Sequence, residues 1–153
     1  MKILIKFIIF YFFLTCFSVA DLIKPSSSLK PFDVLMIQLN SLKNNNNPYK
    51  DAGIEQTWEF AHPINKISTG PLEKFKKMIY SESYKILISH ENSNITILNE
   101  APKKIVYKVY VLSKDKKKYY YIWQIEKVKQ EGNLKNCWMT TRVSDPIYLG
   151  ETI

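Results

Sequence analysis

The periodicity of the chain changes after Ser83, and that change restricts the fold more than any single motif does. Upstream, apolar residues recur at helical spacing; downstream, β-branched and aromatic residues alternate in short runs. Pro31 suits a first helical turn, and Asp33 complements the positive helix end. Val34, Leu35, Gln38, Leu39 and Leu42 then share one face, which predicts a helix over about 31–43. The run Asn44-Asn45-Asn46-Asn47-Pro48 ends it in a loop. Asp51 is the expected cap of a second, short helix in which Ile54, Trp58 and Ala61 form a buried stripe, closed by Pro63 near His62. Pro71 opens a third helix, with Leu72, Phe75 and Ile79 facing inward. Beyond Ser83, strands are expected at 84–89, 95–98, 105–112, 119–128 and 137–143, with polar turns at 91–94, 113–116 and 130–133. Sequential strands joined by short turns make an antiparallel meander. Helices followed by strands make an α+β fold with the helices packed on one face of the sheet.

The first twenty residues follow the layout of an export signal. Lys2 and Lys6 precede an uncharged run from Phe7 to Phe17, and Ser18-Val19-Ala20 offers small residues before Asp21. Cleavage after Ala20 is expected, since the apolar run is shorter than the roughly 20 residues that span a bilayer. The chain would meet the membrane only during export, ending periplasmic, lumenal or secreted. What remains is 133 residues, the size of one domain. Residues 21–30 are expected as a flexible leader, 31–146 as the domain and 147–153 as a C-terminal tail. Cys137 is the only cysteine after cleavage, so no disulfide forms within the chain; its strand-like setting predicts burial.

The mature chain carries nineteen lysines against one arginine, Arg142. Phosphate recognition favours the planar fork of arginine, so the positive charge is read as composition and no nucleic-acid partner is expected. The run 116–123 mixes lysines with Tyr119, Tyr120, Tyr121 and Trp123. It reads as a solvated hairpin tip followed by sheet packing. His62 and His90 are the only histidines, and with one cysteine they make no zinc spacing. No metal or cofactor is expected. Nucleophile elbows, phosphate-cradling glycine loops and zincin motifs are missing from the sequence. His62 has acids near it in sequence, among them Asp51, Glu55, Glu59 and Glu73, and would act as a base only if paired with one of them inside a pocket.

The helix ending 37–42, the segments 51–54 and 60–65, and Thr69-Gly70-Pro71-Leu72 with Phe75 and Met78 together resemble the domain-of-unknown-function family DUF4864 over about 31–143. The family's pattern implies a serine where His62 stands, so that histidine departs from it. The resemblance extends to the NTF2-like superfamily and implies a helix laid across a curved antiparallel sheet, with an apolar pocket at the open end. Around that pocket Trp58, Phe60, Tyr107, Tyr121 and Trp123 are expected, with His62 and Asn65 as its polar groups. The function implied is binding of a small apolar ligand or a protein partner, without catalysis. The alternative is a cofactor-free lyase, isomerase or hydrolase using His62. A homodimer through the outer sheet face is a further expected partner.

Overall fold

Helix α1 (Pro31–Lys43) is the spine of the molecule. The Lys30 amide donates to the Asp33 carboxylate at 3.1 Å, closing the first turn. All five residues of the expected stripe, Gln38 included, are buried. The computed structural model describes residues 21–151. The expected export segment, 1–20, therefore lies outside the described residues. Among those described, no helix is long and apolar enough to cross a membrane.

Helix α2 (Ala52–Glu59) packs on α1 through Gly53, whose amide donates to the Asn45 carbonyl at 2.9 Å. Its start differs from the expectation. Asp51 sits before the helix in the left-handed region (φ 67°) and makes no capping bond, while the buried Asn45 side chain accepts from the Ile54 amide at 3.0 Å. The cap comes from the asparagine loop, because Asn45 is the residue that the turn carries inward. Pro63 also behaves differently, opening a further helix, α3 (Pro63–Thr69), where a loop was expected. The fixed φ of proline suits a first helical position as well as it ends a preceding helix. Helix α4 (Leu72–Ile79) buries Phe75 and Ile79 as expected.

The predicted strand at 84–89 is a 3-10 turn over Lys85–Leu87. Its amides bond locally, Lys85 to Ser81 and Leu87 to Tyr84, and Ser89 reaches the Leu42 carbonyl. An apolar run becomes a strand only where a neighbour supplies a ladder, and this one packs on α1 instead. The sheet proper is antiparallel and curved, built from β1 (Asn92–Ala101), β2 (Lys104–Leu112), β3 (Lys117–Lys127), β4 (Trp138–Val143) and β5 (Ile147–Glu151). The order is β1-β2-β3-β4, and β5 also pairs with β3. Thus β4 and β5 share one edge of β3, β4 along its C-terminal half and β5 along its N-terminal half. Ser144 bridges the gap: its hydroxyl accepts from the Ile122 amide at 2.8 Å and its amide donates to the Ile122 carbonyl at 3.0 Å. Residues 147–151, expected as tail, are therefore strand. Register shifts at 97/99, 124/125 and 118/119 add the local twist that bends a sheet.

Alternation places Ile105, Tyr107, Val109 and Val111 of β2, with Tyr121, Trp123 and Ile125 of β3, on the face that α1 covers. The predicted leader is not free along its length: the Ile23 amide and carbonyl both bond the Gln56 side chain, at 2.7 and 2.8 Å, and Lys24 pairs with Glu59 at 3.0 Å.

Candidate functional site

Backbone pairing between the helical half and the sheet builds the site. The Thr140 amide donates to the Phe60 carbonyl and the His62 amide to the Thr140 carbonyl, both at 2.8 Å, so 60–62 runs parallel to β4 as a one-bridge strand. This fixes where α3 begins and holds α3 and α4 over the β4 edge of the sheet. Beneath them lies a cavity of about 280 Å³.

The cavity has a polar floor and apolar walls. On the floor, the Trp123 indole donates to the Thr140 hydroxyl at 3.0 Å, which donates to Gln38 Oε1 at 2.6 Å; Gln38 Nε2 in turn donates to the Thr57 carbonyl at 3.1 Å. A continuous chain of hydrogen bonds thus links β3, β4, α1 and α2, with no buried side-chain polar atom among the described residues left unsatisfied. Leu42, Phe75, Met78, Ile79 and Leu87 form the walls. At the rim stand Asn65, Ser68 and Thr69 of α3, with Thr141 and Arg142 of β4. Tyr84 completes the lining; its hydroxyl donates to the Val143 carbonyl at 3.2 Å, and burial holds its pKa above the ordinary value.

Of the seven residues expected around a pocket, Asn65 and Trp123 line this one. Asn65 Nδ2 donates to the Thr140 carbonyl at 3.3 Å. Phe60, Tyr107 and Tyr121 are packed into the core, because inward-facing positions beneath a helix are filled by side chains. Burial lifts the Tyr107 phenol to about 12 and also raises that of Tyr121, whose hydroxyl donates to the Ser83 carbonyl at 2.8 Å. Trp58 packs on Phe75 at a ring separation of 5.0 Å, with the Lys66 ammonium 5.1 Å above its own ring.

His62 is buried and caps α3: its Nδ1 accepts from the Ile64 amide at 3.1 Å. Burial lowers its pKa, with Glu126 pulling weakly the other way. Its side chain is not among the cavity lining, and among the described residues no carboxylate hydrogen-bonds to it. A histidine base needs both. His90 is likewise buried, its Nδ1 2.8 Å from the Leu87 carbonyl. No group of three or more His, Cys, Asp or Glu that could hold a metal occurs among the described residues.

Gln38, Thr57, Thr140 and Arg142 were not singled out as site residues. Two of them carried a signal: Gln38 is the one polar side chain in the apolar stripe of α1, and Arg142 is the one arginine in a lysine-rich chain. Nothing in sequence marks Thr140, whose role depends on three segments meeting at it. No protein-family model, no curated protein and no solved structure matches this chain.

Proposed function

We propose that this chain is a small-ligand-binding domain whose site is the cavity between α3, α4 and the β4 edge of the sheet. The observation that carries the reading is the cavity's construction: apolar walls on rigid elements around a floor whose hydrogen bonds are already satisfied. Such a floor needs no bound water to complete it, so a compact apolar guest displaces solvent without leaving a polar group unpaired. The helices-then-curved-sheet layout agrees with the resemblance to DUF4864 and the NTF2-like superfamily, and that likeness speaks for the fold and not for an activity. The charged, uncharged and small-residue order of the first twenty residues adds that the domain acts after export.

Native mass spectrometry of protein recovered from its exported fraction, compared with the same sample denatured, tests this. A reproducible non-covalent added mass that disappears on denaturation is the expected result. A clean apo mass, with tryptophan fluorescence unmoved by a panel of small apolar compounds, would overturn it and shift the weight to a partner-binding surface.

A further inference from the structure

We propose that the cavity takes a compact apolar acid, its carboxylate held by Arg142 at the mouth; this rests on the ligand-binding reading above. The polar groups around the cavity are nearly all committed to protein partners. The Thr57 hydroxyl donates to the Gly53 carbonyl at 2.8 Å, that of Thr69 to the Asn65 carbonyl at 2.9 Å, and that of Ser68 to the Ile64 carbonyl at 3.3 Å. Gln38 and Thr140 are engaged with each other. These groups therefore have little to offer a polar guest, and selectivity falls to what is left at the rim.

Arg142 is what is left. It is exposed and lines the cavity, and among the described residues it makes no ion pair while eight lysine–carboxylate pairs form elsewhere. Its charge reaches the cavity wall: it favours the ionised form of the Tyr84 phenol, opposing burial and the nearby Asp145. A guanidinium offers a planar fork that grips a carboxylate with two parallel hydrogen bonds, which a lysine cannot do. The space behind it, about 280 Å³, corresponds to roughly nine waters at about 30 Å³ each. It suits a body the size of octanoate, and its apolar walls offer such a chain no second polar anchor.

Titrating the purified protein with octanoate, octanol and octylamine at pH 7.5, read by tryptophan fluorescence, separates the possibilities. Octanoate is expected to bind at least about tenfold more tightly than octanol, and octylamine most weakly. Arg142→Gln should erase the octanoate advantage while leaving octanol affinity within about twofold, and Arg142→Lys should keep part of it. Equal binding of octanoate and octanol would overturn the acid assignment and leave the ligand site standing. A preference that survives in Arg142→Gln would trace it to the lysine-rich surface and overturn the assignment equally. If none of the three binds, the ligand-site reading falls, and the acid assignment with it.

Discussion

His62 holds the first turn of α3 with an unprotonated ring nitrogen, and that bond requires the neutral ring. Protonating Nδ1 would set an N–H against the Ile64 amide, and burial already depresses the pKa below its usual 6.5. Between the depressed folded value and the unfolded value near 6.5, the unfolded chain binds a proton that the folded chain refuses. Stability is therefore fully present above pH 6.5 and declines as pH falls from there toward the folded pKa. His90 acts in the same direction, through burial first, with the Leu87 carbonyl opposing and Lys43 assisting. His62→Asn keeps a good cap and removes one titrating group. At pH 7.5 it should lie within roughly 1 kcal/mol of the parent, and its melting temperature should fall less on acidification to pH 5.5. An unchanged acid response would count against the protonation argument. Cys137 is a second residue with a local test. Only 2% exposed, its thiol pKa is raised by burial, so a thiol reagent should leave it unmodified in native buffer and label it readily in urea.

Helices α1 and α2 meet closely at Gly53. A Cβ on Gly53 would lie 2.0 Å from the Ser41 carbonyl oxygen and 2.8 Å from Asn45 Cα, both backbone atoms that cannot turn aside. Glycine is required there by contact, since a helix interior otherwise disfavours it. Gly53→Ala should lower stability by about 3 kcal/mol or more, measured as a fall in the urea midpoint at unchanged slope. A loss under about 1 kcal/mol would mean that the two helices can separate freely. The same contact brings Asn45 to the start of α2, where its carbonyl accepts from the Gly53 amide and its side chain from the Ile54 amide, while the Asp51 carboxylate accepts from the Tyr80 hydroxyl instead.

At the scale of the molecule, Thr140 joins the helical and stranded halves. Its backbone pairs with Phe60 and His62, and its hydroxyl stands between Trp123 and Gln38. Thr140→Val preserves shape but leaves the buried indole N–H and the amide oxygen without partners, at roughly 1–3 kcal/mol each. Loss of about 2–5 kcal/mol in urea unfolding is expected, and the Gln38→Leu/Thr140→Val pair should cost less than the sum of the single changes. Additive single effects would show that the two side chains act separately.

The class of fold, the extent of α1, the burial of Cys137 and the hairpin turn at 113–116 are all legible along the chain. Each follows from local periodicity or from residues that punctuate the backbone, and such signals are carried by neighbours in the chain. Tertiary structure decided the rest. Whether 84–89 became strand or turn depended on a ladder partner, and whether 147–151 became tail or strand depended on the free edge that β3 offered. The cavity belongs to this second group. Tyr107 and Tyr121 share the alternation and the covered face of Trp123, yet they are packed into the core, and it is Trp123 that lines the cavity beside β4, where α3 and α4 stand over the edge of the sheet. A gap of that kind is set by the distance between elements, and no residue's own chemistry records it.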